Sequence, residues 1–195
     1  MKLKEIANIK TGLVTARKQA KISEDVVATY KLLNLKAINS RGYIEDEVIE
    51  NFRATENIKQ EYITQPKDIV VRLTSPFTAV LIDEEHAGII IPSHFVVIRP
   101  KKDKILPEYL FWLLNSKQVI STINQNKNST MIGAVKPLFY SELDIDLLDI
   151  EEQKKIGQLY ITSKKELSIL DQLIGQKEEY YRVAIDKIQK DMRKR

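Results

Sequence analysis

Hydrophobic residues recur in short runs along most of the chain, whereas its last quarter follows a helical period. The short runs are rich in Val and Ile and are bounded by Pro, Gly, Ser or Asp, a pattern typical of β-strands. They predict strands at residues 29–35, 68–73, 79–83, 88–91 and 95–98. We expect these strands to form one mixed sheet with short connections.

Apolar residues between the strands and the C-terminal segment recur at helical spacing. They follow Pro107, a residue suited to the first turn of a helix, and predict an amphipathic helix over residues 107–124 that packs on the sheet. The polar stretch at 124–130 predicts an exposed loop. Residues 131–136 and 143–147 predict two further short strands.

The segment from Asp149 to the C-terminus predicts one long helix. Asp149 is a good N-cap residue, and Glu152, three positions later, completes a capping-box pair. The positions that follow alternate steps of three and four residues, the spacing of a coiled-coil seam. Gly175 lies within this pattern and is a candidate hinge.

A helix of about 40 residues is roughly 60 Å long, more than a domain of about 150 residues can cover with its own surface. Its apolar stripe therefore needs another helix, and we expect that helix in a second copy of the chain, related by a two-fold axis. The alternative is that the helix folds back onto its own domain. The positions expected to mediate antiparallel dimerisation are Tyr160, Leu167, Leu170, Ile174, Tyr181, Ala184 and Ile188.

Composition narrows the class of protein. Of 195 residues, 43% are hydrophobic and 30% charged, as in globular domains. Cysteine is absent, and His86 and His94 are the only histidines, so disulfides, thiolate nucleophiles and a zinc site are not expected. No apolar run approaches the roughly 18 residues of a membrane span, and we expect a cytoplasmic protein without a membrane partner. The predicted fold is an α+β (mixed α/β) globular domain over residues 1–148, followed by a coiled-coil helix over 149–195.

The net charge of +4 is mildly basic, which is compatible with a polyanionic partner but does not demand one. The six glycines are too dispersed for a phosphate-binding loop or a dinucleotide fingerprint. Neither observation selects a function by itself.

The start of the long helix carries a family resemblance. Residues 147–157 (LLDIEEQKKIG) resemble the junction in the specificity subunits of type I restriction-modification systems, where an apolar strand leads into Glu-Gln-x-x-Ile. Glu152, Gln153 and Ile156 match that pattern. The paired prolines of the family are replaced here by Leu148 and Asp149.

Three other segments resemble family motifs in the same order. KEIANIKTG at 4–12 resembles the opening motif, and PKDIVVRL at 66–73 resembles a Gly-Asp-Ile-Leu strand, with Lys67 in place of the glycine. SHFVVIRP, followed by LPEYLFWLLNS, resembles the central strand and the helix after it. The resemblance thus extends over nearly the whole chain.

The resemblance implies a target-recognition domain that reads one half of a bipartite double-stranded DNA target. It implies a non-catalytic chain that assembles with modification subunits, which methylate adenine using S-adenosylmethionine, and with a restriction subunit. No cofactor is expected in this chain. Full-length members carry two recognition domains and two helical regions, whereas this chain has one of each, so we expect a homodimer that acts on a palindromic split site.

DNA contacts are expected on exposed loops, because base readout needs accessible donors and phosphate contacts need nearby Lys and Arg. The loops lie at residues 10–18, 39–41, 72–75 and 124–130. Arg41 and Arg72 are expected to grip guanine and Asn128 adenine, because Arg and Asn can each form two bonds with these bases. The expected DNA-binding residues are Lys10, Thr11, Arg17, Lys18, Asn39, Arg41, Arg72, Thr74, Ser75, Lys127, Asn128 and Ser129.

Other functions remain open at this point. The same motifs would serve the recognition subunit of a related fused nuclease-methyltransferase system. A non-DNA coiled-coil adaptor is favoured by the nearly neutral charge of the globular part. A hydrolase that uses Asp68, or the pair Asp144 and Asp146, has little support, because acidic residues before a helix more often cap it or stay solvated.

Overall fold

The computed structural model describes residues 1–101, 103–127 and 133–193. These residues fall into two compact units, Met1–Tyr160 and Ile161–Arg195. The strands are β1 (Ala7–Thr11), β2 (Ala28–Leu32), β3 (Glu50–Ala54), β4 (Ile69–Arg72), β5 (Ala79–Leu81), β6 (Ile89–Ile90) and β7 (Phe95–Pro100). The helices are α1 (Leu3–Ile6), α2 (Pro107–Leu114), α3 (Lys117–Lys127), α4 (Pro137–Glu142) and α5 (Ile150–Met192). The predicted α+β class with a long C-terminal helix is confirmed.

The strands form two sheets instead of the single mixed sheet that the sequence predicts. One sheet is antiparallel with the order β1-β7-β4-β5, and the other has the order β3-β2-β6, in which β2 and β6 are parallel. All five predicted strands exist: β4, β5 and β6 are shorter than predicted, β2 begins and ends earlier, and β7 extends two residues further to Pro100. The central pair β4 and β7 consists of nearly continuous apolar runs because both of its faces are covered.

Side chains from both sheets meet in one hydrophobic cluster. Val70 and Phe95 come from the four-stranded sheet, Ile89 comes from β6, and Leu33 follows β2 directly; each is at most 2% exposed. Burial of each such side chain contributes about 1.5–3 kcal/mol relative to exposure. The loops at the strand ends are therefore attached to a rigid base.

The single helix predicted over residues 107–124 is wrong, because the chain forms two helices that are separated at Asn115. The Asn115 amide donates to the carbonyl oxygens of Phe111 at 3.0 Å and Ala79 at 3.1 Å, and its Oδ1 accepts from the Ala79 N–H at 3.1 Å. These bonds tie the end of α2 to the edge of β5. Helix α3 runs through residues 124–127, so the predicted loop does not begin at 124.

The two strands predicted at 131–136 and 143–147 are also wrong for the residues described there. Ala134 forms only an isolated bridge with Thr74, and Asp144 forms one with Lys2. Between them lies α4, which the sequence did not predict and which begins at Pro137. Residues 131 and 132 lie outside the described part of the chain.

The predicted capping box at the start of α5 is confirmed. The Glu152 N–H donates to Asp149 Oδ1 at 2.9 Å, and the Asp149 N–H donates to Glu152 Oε2 at 3.3 Å. Gln153, the residue after Glu152, is 2% exposed. Its Oε1 accepts from the Leu106 N–H at 3.0 Å, and its Nε2 donates to the Leu148 carbonyl at 2.9 Å.

The first turns of α5 pack on α2. A Cβ at Gly157 would lie 2.8 Å from Glu108 Cβ and 2.9 Å from the Tyr109 nitrogen, so only glycine allows this approach. The Tyr160 ring meets Phe111 edge-to-face, with centroids 5.0 Å apart. Tyr160, expected in the dimer seam, is therefore a contact within its own domain, because the helix remains beside α2 up to that residue.

The second compact unit, from Ile161 onward, is helical to Met192 and leaves most of its apolar side chains exposed. The helix continues through Gly175, where an added Cβ would meet nothing within 4 Å. Within the described ranges, no helix is both long enough and apolar enough to cross a membrane.

Candidate nucleic-acid interface

The four-stranded sheet brings two of the predicted contact loops to one edge. Thr11 at the end of β1 pairs with Val96, and Arg72 at the end of β4 pairs with Phe95. Both loops therefore leave the sheet beside the start of β7. Because neighbouring strands are about 4.8 Å apart, Thr11 and Arg72 are separated by roughly 10 Å. We call this end of the sheet, with Thr11, His94 and Arg72, the strand-end edge.

Arg72 joins a third predicted loop to the same edge. Its Nη1 donates to the Ile38 carbonyl at 3.2 Å, and its Nη2 donates to the Ser75 carbonyl at 3.4 Å. Partial burial lowers the pKa of the guanidinium. Since two of its nitrogens hold backbone carbonyls, Arg72 orders the loops at 39–41 and 72–75. Its expected contact with guanine stays a prediction.

The loop at 39–41 is shaped by Asn39. Its Oδ1 accepts from the Arg41 N–H at 2.9 Å and from the Tyr43 N–H at 3.4 Å, and Gly42 closes the turn with a φ of 85°. A two-bond contact with adenine needs both the oxygen and the amide nitrogen of Asn. Asn39 therefore shapes its own loop and has only its amide donors left for DNA, whereas Arg41 is exposed.

The remaining expected contacts fall in different places. Ser75 is exposed and Thr74 is half-buried, in bridge contact with Ala134. Lys127 is the last residue of α3. Asn128 and Ser129 lie outside the described residues, so their expected DNA contacts stay predictions.

Sequence reasoning missed His94 at the centre of the strand-end edge. It is exposed, and its carbonyl accepts from the Leu73 N–H at 3.0 Å. Across the same turn, the Gly12 N–H donates to the Phe95 carbonyl at 3.0 Å, so the turn links both neighbouring loops. The position immediately before the central strand is the sequence signal that could have identified it.

A groove of about 550 Å³ opens beside β1 and the turn that follows it. Three of the expected DNA-binding cations, Lys10, Arg17 and Lys18, line it. Lys10 pairs with Glu61 and lies 5.7 Å from the centre of the Tyr62 ring, a cation–π contact. The Lys18 Nζ lies 2.8 Å from Glu56 Oε1. Of the four loops predicted to contact DNA, this one carries the most Lys and Arg residues.

The acidic residues considered for hydrolysis have structural partners. Asp68, 3% exposed, accepts from Arg99 Nε at 3.0 and 3.2 Å and from the Gln65 N–H at 2.9 Å. Burial raises the pKa of Asp68, while the hydrogen bond from Arg99 opposes that rise. Asp144 forms an ion pair with Lys2 at 2.8 Å. No group of three or more His, Asp or Glu able to hold a metal ion occurs in the described ranges.

Comparison with known proteins identifies the family. The family model described as "Type I restriction modification DNA specificity domain" matches residues 1–176. The HsdS subunit from Thermoanaerobacter tengcongensis superposes with a TM-score of 0.64 at 18% identity, over 89% of this chain and 43% of that chain. The type I S subunit from M. genitalium gives 0.50 at 14% identity, over 87% and 42% of the two chains.

A third solved structure, described as concerning complex assembly and conformational transition of the type I R-M system, gives a TM-score of 0.56 at 15% identity. The alignment covers 39% of that chain and 87% of this chain. The chain thus spans about two fifths of the solved structures that it resembles. No curated protein matches it. With a family model covering residues 1–176, the chain belongs to the type I restriction modification DNA specificity domain family.

Proposed function

We propose that this chain reads one half of a bipartite DNA target as the specificity component of a type I restriction-modification complex. The observation that carries the proposal is the gathering of three polar loops at one strand-end edge, in a domain that matches this family. Exposed Arg41 and Ser75 are suited to base edges, and the basic groove is suited to the backbone.

The proposed role is non-catalytic. The chain positions a modification subunit, which supplies S-adenosylmethionine, and a restriction subunit on the recognised DNA. The pairing of Asp68 with Arg99 and of Asp144 with Lys2 favours this role over hydrolysis, because both carboxylates already have structural partners.

We further propose that two copies pair through the C-terminal helix. The expected seam residues Leu167, Leu170, Ile174, Tyr181 and Ile188 are 39–60% exposed in the single chain, and a partner helix would cover them. A two-fold axis makes the two reading domains identical, so the target would consist of identical inverted half-sites.

Methylation mapping tests both proposals. The chain is expressed with its modification subunit, and the methylated adenines are located in the host genome. Inverted half-sites with a fixed spacer are expected. Asymmetric half-sites would reject the homodimer, and the absence of sequence-specific methylation would reject the reading function.

Self-association is tested separately by sedimentation. Leu170→Asp places a charge on the expected seam, and Leu159→Asp places the same charge at a position 72% exposed and off the seam. The seam variant is expected to sediment as a monomer and the control as a dimer. Equal behaviour of the two variants would contradict the proposed seam. A dimer whose complex with the modification subunit binds no duplex would instead support the adaptor function.

A further inference from the structure

The basic groove beside β1 contains more than the cations that the sequence identifies. Besides Lys10, Arg17 and Lys18, its lining includes Thr11, Tyr62 and Ser93. Ser93 precedes His94, and its N–H donates to the Leu13 carbonyl at 2.8 Å, which attaches this side of the groove to the strand-end edge. The groove is therefore continuous with the surface proposed to read DNA.

Gly12 makes the groove possible. A Cβ at this position would lie 2.1 Å from the Pro92 carbonyl oxygen and 2.4 Å from that of Ile91, so no other residue fits without displacing backbone. The close approach seats the turn after β1 against the turn before β7. The position of the cations on that turn is thus fixed by backbone packing.

Each lysine of the groove is paired with a carboxylate, whereas the arginine is not. Lys10 pairs with Glu61, and Lys18 pairs with Glu56. The hydrogen bond from Lys10 lowers the pKa of Glu61, so this carboxylate is ionised at neutral pH. Arg17 is exposed, and its side chain has no hydrogen bond or ion pair to any residue in the described ranges.

We propose that this groove binds a phosphate of the DNA backbone. Arg17, which has no counter-charge among the described residues, binds the phosphate directly, whereas Glu61 and Glu56 compete with the phosphate for Lys10 and Lys18. This inference rests on the proposed function and deepens it. Exposed ion pairs are weak because water screens both charges, so a phosphate can replace the carboxylates. The competing carboxylates lower the affinity for every duplex equally, which limits binding to DNA that offers no base contacts.

A backbone phosphate suits the groove better than a base edge does. Lysines act as mobile point charges, which match phosphate without requiring a fixed pattern of donors. Lys10 lies over one face of the Tyr62 ring, which leaves less of the ring open to a stacked base. The groove therefore positions the DNA backbone, and the other loops of the strand-end edge discriminate between base sequences.

Duplex binding by the complex of the chain with its modification subunit tests the role of the cation. Arg17→Gln is compared with Lys104→Gln, which removes the same charge from an exposed residue beyond the far end of β7. Affinity is measured against salt, for the target and for an unrelated duplex. Loss of one phosphate contact should weaken binding to both duplexes by about fivefold at 0.15 M salt and reduce the salt slope by about 0.9.

The competing carboxylates are tested by gain of affinity. Glu61→Gln frees Lys10, and Glu85→Gln, which follows the far end of β5, changes the net charge equally without touching the groove. Glu61→Gln should raise the affinity for both duplexes by up to about fivefold and steepen the salt slope, beyond any effect of Glu85→Gln. Melting temperatures confirm that all four variants are folded.

The outcomes separate the two proposals. If the wild-type complex binds no duplex, the proposed function fails. If it binds its target while Arg17→Gln behaves like Lys104→Gln, or Glu61→Gln like Glu85→Gln, only the phosphate groove is rejected. A loss confined to the target duplex would make Arg17 a base reader and would also reject it. Binding of inorganic phosphate by wild type but not by Arg17→Gln, with equal duplex affinities of the two complexes, would reassign the groove to a free anion.

Discussion

Replacement of Gln153 should weaken the attachment of the long helix to its domain. Gln153→Leu keeps the approximate volume of a side chain that is 2% exposed, but it removes both of its hydrogen bonds. The Leu106 N–H then loses its acceptor at the start of α2. The Leu148 carbonyl loses its donor, although Leu148 is 37% exposed and water can replace that bond.

The expected loss of stability follows from the Leu106 N–H and the Leu148 carbonyl, which lose their hydrogen bonds. Both hydrogen bonds are only partly buried, and a bond of this kind contributes about 0.5–1.5 kcal/mol net, so the loss of both sums to about 2 kcal/mol. For a domain of this size, each kcal/mol shifts the melting temperature by about 2–4 °C. Gln153→Leu should therefore melt about 4–8 °C below wild type.

Thermal unfolding followed by circular dichroism measures this shift. Gln158→Leu is the matched control, because Gln158 lies on the same helix and is exposed. It should unfold within about 0.5 kcal/mol of wild type. If Gln153→Leu melts together with Gln158→Leu, the two hydrogen bonds contribute nothing net and Gln153 does not stabilise the junction.

Three further predictions concern other residues of the two units. Gly157→Ala should destabilise the protein, because the added Cβ would lie 2.8 Å from Glu108 Cβ. Gly175→Ala should stabilise the helix by about 1 kcal/mol, since nothing lies within 4 Å of the added Cβ. Opposite shifts in urea unfolding are expected, and shifts of the same sign would contradict one of the two assignments. Tyr140→Phe should leave the free energy of unfolding unchanged or raise it by about 1 kcal/mol, because the Tyr140 hydroxyl is buried without a hydrogen-bond partner in the described ranges. A clear loss of stability in the same assay would indicate that the hydroxyl has a partner. Burial raises the pKa of Tyr160 to about 12 from an ordinary value near 10. The contribution of Tyr160 to stability is therefore fully present below about pH 10 and is lost as pH rises through about 12. The melting temperature of Tyr160→Phe should fall less between about pH 9 and 12 than that of wild type, and an equal fall in both proteins would argue against this burial.

The strands that sequence reasoning found are those with continuous apolar runs. The strands β4 and β7 are covered on both faces, so composition alone identifies them. The strands β1 and β3 were missed because each is an edge strand with few apolar residues. Helix α4 was missed because it is only six residues long, and the break at Asn115 depends on bonds to Ala79, 36 residues away.

The candidate site was only partly predictable for a similar reason. Sequence reasoning could name polar and basic loops, because turn residues and charges are local features. It could not predict that Thr11 and Arg72 flank the same strand, since that depends on the pairing of β7 with both β1 and β4. It could not predict the bonds of Arg72 to the Ile38 and Ser75 carbonyls, or the counter-charge that Glu61 presents to Lys10.

The junction around Gln153 determines where the globular domain of this protein can be fused to the helix of a relative. The sequence pattern places the domain boundary at 148/149, where the helix begins, but the compact unit extends to Tyr160. A chimaera joined at 148/149 would pair Leu106 and Glu108 of one parent with Gln153 and Gly157 of another, and would depend on their compatibility. A graft joined after Tyr160 keeps this contact within one parent, so a foreign globular domain can be exchanged together with the first turns of its own helix.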